Sequence, residues 1–175
     1  MRWFIGLKYR RSLPALMLLW LGFAIATGLV DCADVPQASP PVSGNDWVIL
    51  SPGAPAVNGT WTPSAEQVLA GRAAAKRHLE RLASNIRPVG DGKWRLEEVH
   101  HILTQWGTYK LQAYGATENN KKVVRLSFLT TFPPDDGRWR TNELYLVCDG
   151  GAAFWQADFD PVTGIIVSWQ ANGVA

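Results

Sequence analysis

The sequence predicts an α+β domain in which one long helix packs on an antiparallel sheet of about four strands. Three features lead to this fold class: an alanine- and arginine-rich segment with apolar residues at helical spacing, segments of alternating apolar and polar residues, and a C-terminal pair of apolar segments joined by a turn. A helix with one apolar stripe and a hairpin with one apolar face each need a burial partner, so we expect them to pack together.

The predicted long helix covers residues 63–84. Thr62 and Pro63 have the residue types of an N-cap and a first helical position, and the segment after residue 87 is rich in proline and glycine, which ends the helix. Residues 95–106 are ambiguous and fit a short helix that Gly107 ends. The apolar stripe of the long helix consists of Ala65, Val68, Leu69, Ala75, Leu79 and Leu82.

After residue 108, apolar and polar residues alternate, as is typical of β-strands. Residues 109–116 predict one strand, residues 118–120 a polar turn, and residues 123–132 a second strand with Arg125 and Ser127 facing outward. Residues 133–137 predict a loop. Residues 144–148 are apolar on both faces, which is typical of a central strand.

The last two apolar segments, residues 154–159 and 165–170, predict a hairpin around Pro161 and Gly164. We expect its buried face to contact Leu69, Leu79 or Leu82 of the helix. A one-residue slip would turn each apolar set to the other face, so the register is strongly specified. The predicted cross-strand pairs are Phe159 with Ile165, Ala157 with Val167, and Trp155 with Trp169.

The N-terminus predicts export. Residues 13–30 are apolar and uncharged, and basic residues precede them. We interpret residues 1–26 as a signal peptide cleaved after Ala24-Ile25-Ala26, which places the protein in the periplasm or outside the cell. Two alternatives stay open: a retained anchor of residues 13–30 in the inner membrane, and lipidation at Cys32 after Leu29-Val30-Asp31.

Removal of this segment reverses the sign of the net charge. The chain has 17 Lys and Arg against 15 Asp and Glu, and four of the basic residues precede Ala26, so the remainder carries a net charge of −2. A nucleic-acid partner is therefore not expected.

Residues 27–60 are rich in proline, glycine and serine and predict a leader or linker, followed by a single domain over residues 61–175. Within the leader, residues 47–50 form the one apolar segment, either an edge strand or an apolar tether. The two cysteines, Cys32 and Cys148, form no CxxC motif. They either pair in a disulfide, or Cys148 is a buried apolar residue and Cys32 is cleaved off, lipidated or unpaired.

Several short motifs lie between Trp61 and the C-terminus. They are Trp61-Thr62-Pro63, Trp139-Arg140, Cys148-Asp149-Gly150-Gly151, Phe154-Trp155, Asp160 to Gly164, and Asn172-Gly173-Val174-Ala175. In these motifs the chain resembles a set of small exported bacterial proteins without an assigned activity. The resemblance implies a bacterial source and transfers no catalytic residue. The order of a long helix followed by antiparallel strands is similar to the cystatin layout, an analogy that does not fix function.

The sequence contains no recognised catalytic motif. His100 and His101 are adjacent and would diverge by about 100° on a helix, and His78 is the only other histidine, so we expect no metal site. Cys148 beside His100 or His101 would be a nucleophile only if the fold brought them together. No serine lies in GxSxG and no glycine-rich phosphate loop follows a strand, so no cofactor is expected.

Tryptophan is abundant, with seven residues after Ala26. Most are expected in the core, whereas Trp94, Trp106 and Trp139 lie beside predicted loops and are candidates for a binding surface. We therefore expect an exported non-catalytic domain that binds a peptide, a protein or a glycan. The alternatives are a hydrolase of unrecognised type and a structural or accessory envelope protein.

The export hypothesis is tested by the intact mass of the native protein. We expect the mature chain to begin near Thr27, because the small residues Ala24 and Ala26 suit signal peptidase. A mass that retains residues 1–26 would favour the membrane anchor. A mass with diacylglycerol on Cys32 would favour a lipoprotein.

Overall fold

Two helices pack on one face of a six-stranded, mostly antiparallel mixed sheet, which makes the fold α+β. The computed structural model describes residues 41–87, 89–130, 137–147 and 150–172. The predicted signal, anchor and lipidation sites, together with Cys32 and Cys148, lie outside these residues. The elements are β1 (Val42–Ser43), β2 (Trp47–Ile49), α1 (Ala65–Asn85), α2 (Asp91–Thr104), β3 (Lys110–Glu118), β4 (Lys121–Leu129), β5 (Phe154–Asp160) and β6 (Ile165–Ala171).

The strands lie in the sheet in chain order, from β1 to β6. β2 and β3 are parallel, and the other neighbouring pairs are antiparallel. The sheet thus begins before the domain boundary predicted at Trp61, because the apolar segment at residues 47–50 contains strand β2. Val48, Ile49 and Leu50 are all buried, so this segment belongs to the packed domain. None of the helices in the described ranges is long and apolar enough to cross a membrane.

Helix α1 confirms the prediction of a long helix but begins later than expected. Its N-cap is Ser64 rather than Thr62: Ser64 Oγ accepts from the Gln67 N–H, and the Gln67 side chain accepts from the Ser64 N–H. Leu69 was predicted to face the core and is half exposed. Gly71 lies on the buried face instead, where an added Cβ would stand 3.0 Å from the Phe159 ring. Small residues on this face let α1 approach the sheet closely.

Helix α2 occupies the region that was ambiguous in the sequence. It buries Val99 and Ile102, and leaves His100 and His101 exposed. The strand predicted at residues 144–148 is wrong over residues 144–147, which have no regular secondary structure. The apolar side chain of Leu144 packs on the sheet face opposite the helices instead of within a strand. The backbone N–H of Leu144 donates to the Pro55 carbonyl oxygen at 3.3 Å.

The C-terminal hairpin forms as predicted, but in a different register. Phe159 pairs with Ile166, Ala157 with Trp169, and Trp155 with Ala171. A bulge between Asp158 and Phe159 shifts the register and leaves Val167 as the extra residue on β6. The predicted packing of Trp155, Phe159 and Trp169 against the helix side is confirmed, with Trp155 and Phe159 buried and Trp169 partly buried. Ile165 and Val167 are about half exposed, which corrects their predicted place in the core.

Aromatic side chains dominate the core beneath α2. The rings of Phe128 and Trp155 stack with centroids 3.8 Å apart and planes 2° from parallel, and Trp106 and Tyr109 pack against both rings. The Tyr109 hydroxyl donates to the Ala152 carbonyl oxygen at 2.5 Å. Burial raises the pKa of Tyr109 to about 12, so its hydroxyl stays protonated far above neutral pH.

On the opposite face, two irregular segments cover strands β2 to β4. They are residues 50–57 and residues 137–147, and Asn142 joins them: its Oδ1 accepts from the Ser51 N–H at 2.9 Å, and its Nδ2 donates to Ser51 Oγ at 2.6 Å. The fully buried Gln112 of β3 holds the second segment in place. Its Nε2 donates to the carbonyl oxygens of Trp139 and Glu143 at 2.9 and 2.8 Å, and its Oε1 accepts from the Tyr145 N–H at 2.7 Å.

The substitution Gln112→Leu is expected to destabilise the protein by roughly 3–5 kcal/mol. It keeps the side-chain size but leaves three backbone polar groups without their partner, and each such group costs about 1–3 kcal/mol when buried. Urea unfolding of the purified chain measures the loss. The matched control is Gln170→Leu, an exposed amide on the same sheet face, expected to stay within about 0.5 kcal/mol of the wild type. Equal losses in both variants would contradict the assigned role of Gln112.

Candidate binding surface at the sheet edge

Of β4, β5 and β6, residues 50–57 and 137–147 cover only the ends of β4 and the start of β5. On the rest of this outer face, polar side chains of β4, β5 and β6 line a shallow cavity of about 200 Å³. The polar lining consists of Arg125, Gln156, Asp158, Ser168 and Gln170. We call this cavity the polar groove. Its polar lining differs from the apolar packing over β2 to β4, and it includes Ser168 and Gln170 of the edge strand β6.

A row of charged and polar side chains crosses the sheet through the polar groove. Arg125 Nε and Nη2 donate to Asp158 Oδ1 and Oδ2 at 2.8 and 3.1 Å, and Nη2 also contacts the Glu118 carboxylate. Ser168 Oγ donates to Asp158 Oδ2 at 2.8 Å. The row Glu118–Arg125–Asp158–Ser168 therefore connects β3, β4, β5 and β6 in order.

The electrostatics of the row follow from this pairing. The hydrogen bonds to Asp158 are the largest cause of a raised pKa for Arg125, and burial acts in the opposite direction. The Arg125 side chain is 23% exposed and that of Asp158 is 10% exposed, so both charges are partly desolvated. A bidentate arginine–carboxylate pair is a geometry that offsets such desolvation.

The sequence prediction missed this row, although it placed Arg125 on the outward face. The register aligns Arg125 with Asp158 and Asp158 with Ser168 on neighbouring strands. Residues directly opposite each other in antiparallel strands share a face, so the contacts among Arg125, Asp158 and Ser168 are a consequence of the pairing. Glu118 pairs with Lys121 and contacts Arg125 from the end of β3. The sequence signal was present in the alternation of β4 and β5, but the wrong hairpin register concealed the position of Ser168.

Strand β6 forms one edge of the sheet, and among the described strands it pairs only with β5. The Asn172 N–H donates to the Phe154 carbonyl oxygen at 2.9 Å. Hydrogen-bonded pairs alternate in an antiparallel ladder, so the N–H and C=O groups of Trp169 and Ala171 point away from β5. Residues 165–171 contain no charged residue and no proline, the residue types that commonly protect edge strands.

Two exposed apolar side chains lie on this edge strand. Ile165 is 49% exposed and Val167 is 52% exposed. Hydrogen bonds stabilise the turn that precedes them: Asp160 Oδ1 accepts from the N–H groups of Val162 and Thr163 at 2.8 and 3.2 Å, and Gly164 has φ +73°. These hydrogen bonds, first that of Val162, lower the pKa of Asp160. The predicted turn at residues 160–164 is thus confirmed.

The three tryptophans predicted as a binding surface do not come together. Trp139 is 2% exposed and packs in the apolar cluster between residues 137–147 and the sheet, whereas Trp106 is partly buried in the aromatic core on the helix side. Trp94 is 76% exposed on α2. Its neighbour Arg95 has its guanidinium carbon 5.4 Å from the centre of the Trp169 ring, so the start of α2 lies near the second half of β6.

The histidines do not form a reactive cluster. His100 and His101 are exposed on α2, and burial, followed by the charge of Arg81, lowers the pKa of His78 on α1. Within the described ranges, no three His, Cys, Asp or Glu residues are placed to hold a metal ion. Cys148, the candidate nucleophile beside His100 or His101, lies outside those ranges.

No family model, no curated protein and no solved structure matches the chain.

The substitution Asp158→Asn is expected to lower the stability by roughly 2–4 kcal/mol, because it removes the charge that faces a partly buried Arg125 and turns an amide donor toward the guanidinium. Urea unfolding measures this loss. Asp160→Asn serves as the control: this partly exposed side chain keeps its acceptor oxygen for the turn, so only a small change is expected. An equal effect of the two substitutions would show that the Arg125–Asp158 pair does not stabilise the fold.

Proposed function

We propose that this protein is an exported, non-catalytic domain that binds an extended segment of another polypeptide along the free edge of β6. One observation carries the proposal: β6 presents the outward-directed backbone groups of Trp169 and Ala171 beside the exposed side chains of Ile165 and Val167. A bound segment would add a strand to the sheet, with backbone hydrogen bonds giving affinity and alternate side chains giving specificity.

The composition of β6 supports this function. Edge strands usually carry a lysine, a proline or another feature that prevents pairing with a foreign strand. Residues 165–171 carry neither charge nor proline, and the bulge turns Val167 outward without placing a charge at the edge. An edge of this kind tends to be covered in the functional state, because its backbone groups and apolar side chains are otherwise exposed to foreign strands.

Two further parts of the proposal concern location and layout. The apolar run at residues 13–30 and the site at Ala24 to Ala26 support export to the periplasm or beyond. The packing of α1 on the antiparallel strands β3 to β6 supports a cystatin-like layout for that part of the chain. This similarity of layout assigns no inhibitory activity.

The other candidate functions have less support among the residues that the structure describes. A glycan site built on aromatic platforms would need exposed rings, and of the three candidate tryptophans only Trp94 is well exposed. A hydrolase would need an activated nucleophile near a base. His100 and His101 are exposed on α2, and among the described residues no three His, Cys, Asp or Glu side chains are placed to hold a metal ion. A structural or accessory role in the envelope would use the same edge with a permanent partner.

The proposal is tested with the full chain and a displayed library of random 12-residue peptides. We expect selected peptides to slow the hydrogen exchange of the Trp169 and Ala171 amides, which point away from β5. The substitution Val167→Lys places a charge at the edge and should weaken these peptides by about tenfold or more. The matched control, Val162→Lys, adds the same charge at the exposed turn and should leave the affinity within about twofold.

A second variant tests whether the backbone of β6 takes part. Ala171→Pro removes one outward N–H and, by the alternation of the ladder, no hydrogen bond to β5. It should therefore weaken the selected peptides while preserving the urea midpoint, with Ala171→Ser as the control. Peptides that bind all these variants equally and leave the β6 amides unprotected would refute the proposed site. A library that yields no binder above background would do the same.

A further inference from the structure

The row Glu118–Arg125–Asp158–Ser168 ends at the free edge of the sheet. From β3 to β5 its members alternate in charge: a carboxylate, a guanidinium and a second carboxylate. The last member, the exposed Ser168, is neutral and stands on the edge strand β6. The residue on an added strand directly opposite Ser168 would be the next member, because directly opposed residues point to the same face of a sheet.

The hydrogen-bond pattern of Ser168 determines what this next member should supply. A serine hydroxyl has one proton to donate and two lone pairs to accept. Ser168 Oγ donates its proton to Asp158 Oδ2 at 2.8 Å, so the oxygen is left as an acceptor. The side chain that completes the row must therefore be a hydrogen-bond donor.

The charge of the row favours a cationic donor. Arg125 faces two carboxylates, those of Glu118 and Asp158, so the three groups together carry a net charge of −1. Gln156 and Gln170 line the same groove and add amide groups without a charge. Strands in a sheet lie about 4.8 Å apart, and the flexible stem of a lysine or arginine spans that distance toward Ser168 and Asp158.

We propose that the extended segment bound at β6 carries a lysine or an arginine at the position opposite Ser168, over the polar groove. This inference rests on the proposed function, because it requires a strand paired with β6. It holds for a parallel or an antiparallel added strand, since either orientation places the opposed side chain on the groove face. The partner is thus a polypeptide segment with an extended backbone and a cationic side chain facing the groove.

The test uses three soluble ten-residue peptides of alternating valine and threonine that differ in one central residue: lysine, glutamate, or norleucine as the uncharged analogue of lysine. With the full chain at low salt, we expect the lysine peptide to bind about tenfold more tightly than the norleucine peptide and the glutamate peptide to bind most weakly. The difference between lysine and norleucine should shrink as salt is added, because the groove is open to solvent.

Variants of the protein assign the preference to the row. Ser168→Ala removes the acceptor at the edge, and Glu118→Gln removes one negative charge, so each should reduce the lysine-to-norleucine ratio toward one. The control Asp91→Asn removes an exposed negative charge on α2 outside the groove and should preserve the ratio. A ratio reduced equally by all three variants would mean that net charge alone gives the preference, and the inference would fall.

Hydrogen exchange at Trp169 and Ala171 separates failure of this inference from failure of the proposed function. If the three peptides protect these amides with equal affinity, the inference is wrong and the proposed function stands. If neither these peptides nor any library peptide protects them, the proposed function is wrong as well. Protection that rises with protein concentration in the absence of peptide would identify a second copy of β6 as the occupant. That result would overturn the inference, because residues 165–171 contain no lysine or arginine.

Discussion

The amide of Gln112 is the interaction on which the arrangement of the sheet surface depends. It is fully buried near the start of β3, and it binds three backbone groups of residues 137–147. Through these bonds a segment without regular secondary structure is held over the sheet, where Trp139 and Leu144 join Val48 and Leu50 in an apolar cluster. Backbone groups buried in this way need partners, and a single side-chain amide supplies both donors and acceptor.

The area that residues 50–57 and 137–147 cover determines which part of the outer sheet face is exposed to solvent. Residues 50–57 and 137–147 lie over β2 to β4, and the outer face of β5 and β6 carries the polar groove instead. An apolar lining at this place would leave a large exposed patch, whereas the row from Glu118 to Ser168 keeps the face polar. The charges of the row are tolerated because Asp158 accepts from both Arg125 and Ser168 and so has partners for its two oxygens.

The bulge in the C-terminal hairpin connects the core to the edge. On the side of the bulge nearer the turn, Phe159 pairs with Ile166, and on the other side Asp158 pairs with Ser168. Val167 therefore has no directly opposite residue on β5, and its side chain is half exposed. The core still receives Trp155, Phe159 and Trp169, with Gly71 of α1 packed closely on Phe159. One extra residue therefore provides a complete buried face, an exposed apolar side chain at the edge, and a serine at the end of the polar row.

The sequence by itself determined those features that arise from neighbouring residues. The period of α1, the strands β3 to β6 and the turn at residues 160–164 follow from spacing, capping residues and glycine at a positive φ, all of which act within a few residues. The tertiary structure alone decided the hairpin register, the parallel pairing of β2 with β3, and the burial of Trp139. The candidate site belongs to this second group, since the row joins Glu118, Arg125, Asp158 and Ser168 across four strands. Such contacts depend on how distant segments align, and a single bulged residue changes which side chains share a face.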